Sequence, residues 1–211
     1  MDYVGGIPKS LLWADGTPVC HTDRLLTPIQ RQIGDRKYEL IFPFASRVGE
    51  YVSIAMPRFW YDGFSVPRLL HWYQSPMTGK AAVTVDHDGG YGAKLWLQKF
   101  WDERFLALLL HYGESERRAK TMYRKVKRWG WIPWRRWKGR EHDVRFYREH
   151  FLLLHAERKA EEIKMLIRRG NMIGNLLIEI KRNPNRAKFY EDEILSVRRG
   201  DIDEVLISDR P

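Results

Sequence analysis

The apolar positions follow two patterns along the chain, and the change between them falls near residue 92. Residues 38–44 (YELIFPF) and 51–56 (YVSIAM) are short, β-prone and aromatic, and Gly49 lies between them. Such segments predict a β-hairpin or a meander. Residues 95–112 are instead apolar on most sides over a helical length, which predicts a central buried helix.

The second half of the chain predicts further helices. Residues 115–129 carry an inward apolar stripe at helical spacing, and Gly130 follows them. Residues 143–169 predict one long, partly solvated helix that ends at Gly170-Asn171. A shorter apolar segment, residues 172–180, comes next, and Asn183-Pro184 closes it.

These elements predict an α+β fold. We expect small antiparallel strands and hairpins on the N-terminal side to pack on a helical core, with a long C-terminal helical extension after it. We place a division near residue 137. It separates a core domain, residues 1–137, from a helical extension with an acidic tail, residues 138–211.

The composition limits the classes of protein to which the chain can belong. Hydrophobic residues make up 44% of the 211 residues, which is enough for a folded core. The uncharged apolar runs are far shorter than the ~18–20 residues of a membrane span, so we expect none. Cys20 is the only cysteine, which excludes an intrachain disulfide and a cysteine-based zinc cluster and agrees with a reducing compartment.

Polar residues that are costly to bury occur in three patches. They are the run of residues 62–68 (DGFSVPR), the run of residues 86–91 (DHDGGY), and Asp102 inside the apolar helix. Because a carboxylate that faces a core needs a partner, Asp102 is either exposed by an irregular course of the chain or held by a partner, and the expected partners are Arg68 and His87. Its neighbours Glu103 and Arg104 are expected to point outward.

Two interpretations of these patches remain open. In the structural one, the triplet that starts at Asp86 caps the following helix and pairs with Arg68, and the polar residues form one cluster. The members of that cluster are Asp62, Ser65, Arg68, His87, Asp88, Tyr91 and Asp102. In the chemical one, imidazole and carboxylates hold a divalent metal or act as general acid and base, and Gly89-Gly90 leaves backbone room for a ligand. The candidate metal-binding or catalytic residues are Asp62, His87, Asp88 and Asp102.

The net charge of +10 is concentrated locally. Residues 115–140 contain eleven Lys or Arg and one acid, Glu116, whereas the tail after residue 191 is acidic. Four Trp residues lie among the basic residues of the segment 123–140. Arg and Trp are enriched at interface hot spots, which favours a protein partner. A nucleic acid is an alternative partner, and a solvated basic face is a third interpretation. The candidate partner-binding residues are Trp129, Trp131, Trp134, Arg135, Arg136, Trp137 and Lys138.

The order of these motifs carries a resemblance to a known family. Asp-Gly-x-Ser-Val-Pro-Arg at residues 62–68 precedes Ala-Ala-Val and His-Asp-x-x-Tyr within residues 81–91. The isolated Asp102 and a Met-Tyr…Val…Gly pattern at residues 122–130 follow. Together they resemble a small bacteriophage and prophage family that is known only as a domain of unknown function, number thirteen fifty-three. The resemblance spans about residues 36–132 and implies a phage origin, but no established reaction.

Three hypotheses of function follow, and we favour the first, which is not enzymatic. It is a virion-associated structural protein: a tail, baseplate, neck or fibre-attachment component. Such a protein would be made in the cytoplasm of the bacterial host, would contact other virion proteins in multiple copies, and would need no cofactor. The second is a metal-assisted hydrolase, in which the candidate residues hold one divalent ion. The third is a DNA-contacting accessory protein that uses residues 123–140.

Overall fold

The short β-prone segments of the N-terminal half pair into antiparallel sheets. The computed structural model of the chain describes residues 3–4, 7–8, 28–34, 37–61, 81–136 and 141–201. Near its start, β1 (Tyr3–Val4) pairs with β2 (Ile7–Pro8). A three-stranded sheet joins β3 (Gln30–Gly34), β4 (Lys37–Leu40) and β7 (Trp60–Tyr61) in that order.

A second three-stranded sheet is a hairpin that a distant strand completes. β5 (Phe44–Val48) and β6 (Tyr51–Ala55) pair across a turn at Gly49, whose φ of +63° suits glycine. β8 (Phe151–His155) then pairs antiparallel with β6 over its full length. The predicted hairpin is confirmed, and residues 41–43 interrupt the first predicted segment between β4 and β5.

Helices make up most of the described chain after residue 80. They are α1 (Ala81–Ala93), α2 (Gln98–His111), α3 (Glu116–Trp129), α4 (Trp131–Arg136), α5 (Glu141–His150), α6 (Ala160–Arg182) and α7 (Ala187–Arg199). A short 3-10 turn, Pro184–Arg186, joins the last two. The predicted α+β class is therefore confirmed, and α2 and α3 begin and end within a few residues of the predicted bounds.

Two glycines of α1 allow large rings to pack directly on its backbone. A Cβ atom at Gly89 would lie 2.2 Å from the ring of Phe151, and one at Gly90 would lie 2.0 Å from the ring of Trp101. Both rings belong to the largest hydrophobic cluster of the fold. The space that we expected beside these glycines for a ligand is therefore filled by side chains of β8 and α2.

The single helix predicted for residues 143–169 is wrong. This part of the chain forms α5, β8 and the start of α6, and the expected cap at Gly170-Asn171 lies inside α6. The cause is the apolar run at residues 151–154. Residues 151 and 153 pack in one hydrophobic cluster, and residues 152 and 154 pack in another. Successive side chains that point alternately to two apolar clusters are typical of a β-strand that packs on both faces.

The predicted division near residue 137 falls between α4 and α5, and elements from both sides of it share one sheet and one core. β8 completes the sheet of β5 and β6. Tyr147 of α5 packs edge-on against Phe59, with 5.4 Å between the ring centroids. Further along, α6 and α7 pack on each other through a separate apolar cluster, and Gly174 of α6 lies against the ring of Phe42.

Candidate functional site

The structure brings part of the predicted polar set together between α1 and α2. His87 and Asp88 lie in the middle of α1, Tyr91 lies one turn later near its end, and Asp102 lies in the first half of α2. The capping role expected of the triplet that starts at Asp86 is wrong, because the apolar residues before it belong to the same helix. Three members of the predicted set lie outside the described residues: Asp62, Ser65 and Arg68.

We call the residues that meet here the His87 cluster: His87, Asp88, Tyr91, Gln98 and Asp102. The Nε2 atom of His87 lies 3.7 Å from Oδ1 of Asp102, and its Nδ1 atom lies 3.9 Å from Oδ1 of Asp88. Tyr91 donates a hydrogen bond from its hydroxyl to Asp102, and Gln98 Nε2 donates to the second carboxylate oxygen at 3.3 Å. The expected contact between His87 and Asp102 is therefore present.

The two carboxylates beside His87 favour its protonated form. Burial lowers the pKa of His87, but attraction to Asp102 and Asp88 outweighs burial and raises the pKa above its ordinary 6.5. Burial, together with the hydrogen bond to Asp102, raises the pKa of the Tyr91 hydroxyl. This hydroxyl therefore stays protonated at neutral pH and remains a hydrogen-bond donor.

The carboxylates approach different nitrogens of the His87 ring, which limits what the cluster can hold. In this arrangement, an ion bound to one nitrogen at about 2.0–2.2 Å would lie near one carboxylate and away from the other. Across the ranges that the structure describes, no group of three or more His, Cys, Asp and Glu side chains could hold a metal ion. Asp62, the fourth proposed ligand, lies outside these ranges, so the metal site stays a prediction.

A second polar network, which the sequence did not predict, joins α1 and α2 to the hairpin of β5 and β6. Arg104 donates to both carboxylate oxygens of Asp86, from Nε at 3.1 Å and from Nη2 at 2.8 Å. Ser46 donates to the same carboxylate at 2.8 Å, and Ser53 donates to it as well. Arg104 is 2% exposed and Asp86 1% exposed, so the outward orientation expected of Arg104 is wrong.

All donor groups of the Arg104 guanidinium have acceptors. Besides the contacts to Asp86, Nη1 donates to the carbonyl oxygens of Val48 and Tyr51 at 3.4 and 3.2 Å. Nη2 also donates to the Ser53 hydroxyl at 3.0 Å. Because a buried charge is tolerated when it is paired and fully hydrogen-bonded, this network acts as a structural link between the helices and the hairpin.

The burial of Arg104 could have been predicted from its spacing to apolar residues of the same helix. Trp101 lies three residues before it and Leu108 four residues after it, so all three share one side of α2. Both apolar residues are buried. A charged residue between two buried neighbours on one helix face needs a buried partner, and Asp86 is that partner.

The predicted partner-binding residues divide between the surface and the core. Trp129 is 44% exposed and Trp131 is 47% exposed. The guanidinium of Arg135 lies 5.2 Å from the ring centroid of Trp131, and that of Arg128 lies 5.3 Å from the ring centroid of Trp129. We call Trp129, Trp131 and Arg135 the Trp/Arg surface. Its aromatic rings are accessible to a partner, and the binding of a partner there stays a prediction.

Trp134 packs toward the interior instead. Its ring meets the ring of Tyr91 edge-on, with 5.1 Å between centroids, and Lys94 Nζ lies 4.0 Å from its centroid. Trp134, which is partly buried against the core, therefore anchors α4, and a role for it in partner binding stays a prediction. Three further members of the predicted set lie outside what the structure describes: the side chain of Arg136, Trp137 and Lys138.

The His87 cluster contacts the backbone that carries the Trp/Arg surface. Gly130 separates Trp129 from Trp131, and a Cβ atom there would lie 2.5 Å from the Tyr91 hydroxyl and 3.1 Å from Gln98 Nε2. Tyr91 is the residue that donates to Asp102. The buried cluster thus sets the position of the turn between α3 and α4.

Comparisons with known proteins give no relative: no family model, no curated protein and no solved structure matches this chain. The resemblance carried by residues 62–68, 81–91 and 122–130 therefore stays a prediction. None of the helices in the described part of the chain is both long enough and apolar enough to cross a membrane.

Proposed function

We propose that this protein is a structural component of a bacteriophage particle and docks on neighbouring virion proteins through the Trp/Arg surface. The exposure of Trp129 and Trp131 carries the proposal. Two large aromatic side chains, each nearly half accessible and each beside an arginine guanidinium, have the composition of an interface hot spot. Burying both rings against a partner would remove apolar surface from water and stabilise the complex.

The interior beneath this surface supports the same function. Gly130 rests on the hydroxyl of Tyr91, which is bound to Asp102, and Trp134 packs on the ring of Tyr91. A partner that binds the surface therefore meets side chains on a fixed backbone. Such preorganisation reduces the conformational entropy that docking would otherwise cost.

The phage attribution follows from the motif resemblance of residues 36–132. We therefore expect the protein to be made in the cytoplasm of the host and then to occupy a tail, baseplate, neck or fibre-attachment position in the virion. Multiple copies of the chain would then contact other virion proteins. No cofactor enters this function.

A metal-assisted or acid–base hydrolase is a second candidate, and the flanked imidazole of His87 is the observation that favours it. Buried titratable groups with displaced pKa values are concentrated at catalytic sites. The surroundings favour a structural role, because rings of Phe151 and Trp101 fill the space beside Gly89 and Gly90. The structural proposal therefore comes first.

Incorporation into purified particles tests the proposal. A host that produces the phage would carry the chain with Trp129→Ser and Trp131→Ser, and immunoblots of gradient-purified particles would measure its amount. We expect at least a tenfold loss from particles, since two hot-spot residues together contribute more than about 1.4 kcal/mol. The matched control, Phe189→Ser with Leu195→Ser, removes two exposed apolar residues of α7, which are 40% and 51% exposed.

Three outcomes would overturn the proposal. The unchanged protein could be missing from purified particles, the Trp variant could be incorporated normally, or the α7 control could be lost to the same extent. Circular dichroism of both variants shows whether the fold is retained. Because the substituted side chains are exposed, we expect the fold to survive in both.

A further inference from the structure

We propose that the outer face of α3 binds the sugar–phosphate backbone of a nucleic acid. The α3 stripe, as we call this face, consists of Arg117, Arg124, Lys127 and Arg128, all of which are exposed. The opposite face of α3 is apolar and packs in a cluster with α2. The stripe is therefore held outward by the packing of its own helix.

The positive charge of the stripe is not neutralised by the described chain. No Asp or Glu occurs in residues 117–140. Within the ranges that the structure describes, none of the four stripe residues forms an ion pair with a carboxylate. The two other cations at the start of the helix differ, because Arg118 pairs with Glu114 at 3.2 Å and Lys120 pairs with Glu116.

Other helices of the protein arrange their exposed charges differently. Arg145 pairs with Glu149 on α5, and on α6 a carboxylate lies three residues from Lys164 and from Arg182, each at 2.9 Å. Each of these three cations thus lies beside a carboxylate of its own helix. The α3 stripe is thus a local excess of positive charge, and such an excess attracts a polyanion.

The spacing of the stripe fits a phosphate backbone. Arg124 lies two helical turns after Arg117 and one turn before Arg128, so the three guanidinium groups follow one side of α3. At 1.5 Å per residue the stripe extends about 16 Å, which corresponds to about five base pairs of duplex. Guanidinium groups bind phosphate oxygens bidentately, which suits repeated phosphate contacts.

A nucleic acid fits this face better than an acidic protein. Protein interfaces contain an apolar centre, whereas interfaces with nucleic acid are more polar and much more positively charged. The stripe presents cations without an exposed apolar residue among them. The exposed rings of Trp129 and Trp131 lie beyond its C-terminal end, on the Trp/Arg surface. The stripe and the Trp/Arg surface adjoin where the Arg128 guanidinium lies 5.3 Å from the ring centroid of Trp129. Their functions can still be tested separately with variants that leave Arg128 unchanged.

Fluorescence anisotropy with labelled DNA of about 20 nucleotides, as duplex and as single strand, tests the proposal. For three phosphate contacts, log Kd should change with log salt with a slope of about 2.7 for duplex and about 2 for single strand. Between about 50 and 200 mM salt, binding of duplex should weaken about 40-fold. The two probes show which form of nucleic acid binds more tightly.

A triple variant, Arg117→Gln, Arg124→Gln and Lys127→Gln, should bind at least tenfold more weakly and lose most of the salt dependence. The matched control, Arg145→Gln, Lys164→Gln and Arg182→Gln, removes the same charge from other helices and should keep both. If the first triple variant is less helical than the unchanged protein, the three single variants are measured in its place. Each should lower the slope of log Kd against log salt by about 1, which corresponds to one phosphate contact.

Equal weakening in both triple variants would overturn the proposal, since attraction would then follow net charge alone. Binding of poly-glutamate as tight as that of DNA would overturn it in favour of an acidic protein partner. A salt slope near zero for the unchanged protein would also overturn it. Trp129→Ser with Trp131→Ser should leave DNA binding intact, so failure of this inference and failure of the docking function are distinguishable.

Discussion

Arg104 and Asp86 form a two-point ion pair in the interior, with α2 and α1 each supplying one partner. The two N–O distances are 3.1 and 2.8 Å, and both residues are almost fully excluded from solvent. The hydroxyls of Ser46 and Ser53, which lie opposite each other in the hairpin, donate further hydrogen bonds to the Asp86 carboxylate. The pair therefore connects three elements that are distant along the chain.

Removing the cation of this pair should be strongly destabilising. Arg104→Met keeps an apolar stem but leaves Asp86 buried without its counter-charge, so we expect a loss of about 3–5 kcal/mol in the free energy of unfolding. Urea denaturation measures it. Lys99→Met on the same helix breaks only an exposed pair with Glu103 and should cost less than about 1 kcal/mol. Equal losses for the two variants would contradict a central role for the buried pair.

Gly90→Ala should destabilise the fold, although alanine is the better helix former. The new methyl group would meet the ring of Trp101 at 2.0 Å, and overpacking of a core costs about 1–3 kcal/mol. The control is Gly34→Ala, where the nearest atom, on Lys37, is 3.7 Å away. Thermal denaturation should show a lower Tm for the first variant and little change for the second. A Gly90→Ala protein as stable as the unchanged one would disprove this packing.

His87 should make stability depend on pH in a defined direction. Because its folded pKa is raised above 6.5, the protonated imidazole contributes stability that is complete below about pH 6.5 and is lost as pH rises through the folded pKa. The difference in unfolding free energy between the unchanged protein and His87→Gln should therefore shrink with rising pH. Burial lowers the pKa of His111 and of His150, and these effects are common to both proteins and cancel.

Urea denaturation at several pH values between about 5.5 and 8.5 provides the measurement for His87. The groups that face its ring are the carboxylates of Asp88 and Asp102 and the hydroxyl of Tyr91, which stays protonated in this range. A difference that grows as the pH rises would show that burial, rather than the carboxylates, dominates the pKa of His87.

Asp102→Asn should lower the pKa of His87, because one of the two attracting charges is lost. NMR titration of the imidazole resonances measures this directly. Tyr91→Phe is the matched control: it removes the hydrogen bond to the same carboxylate but leaves both charges in place. The control should keep the raised pKa. Equal decreases in the two variants would mean that the hydrogen bond, and not the charge, controls His87.

A chain that ends at residue 140 should not fold. It lacks β8, which pairs with β6, and the ring of Phe151, which fills the space over Gly89. Circular dichroism and size-exclusion chromatography of the truncated chain should show loss of structure and aggregation through the exposed edge of β6. A monomeric, cooperatively unfolding product would instead establish that residues 1–140 form an independent domain.

Local patterns predicted those elements whose partners are close in sequence. The apolar stripe of α3 and the glycine turn between β5 and β6 each determine their structure over fewer than about 20 residues. β8 could not be predicted in the same way, because its partner strand lies about a hundred residues earlier. Four consecutive apolar residues fit a buried helix or a buried strand equally well until the second face is known.

The candidate site shows the same limit. Asp102 could be identified from one unexpected charge in an apolar helix, and its contact with His87 followed from the cost of burying it. The pairing of Asp86 with Arg104 depends on which faces of α1 and α2 meet, and this is a property of the assembled core. The support that Tyr91 gives to Gly130 depends on a third helix and left no pattern in the sequence.

The pairing of β6 with β8 also has a consequence during translation, because β6 is synthesised about a hundred residues before its partner strand. Tyr51 faces His155 across the sheet, so β6 emerges from the ribosome long before its partner strand has been translated. During that interval one edge of β6 stays unpaired, and Gly89 has no ring from β8 to cover it. Unpaired edges and bare apolar surface are where nascent chains aggregate and where chaperones bind. The protein is therefore most vulnerable as a nascent chain, between the translation of the β5–β6 hairpin and that of residue 155.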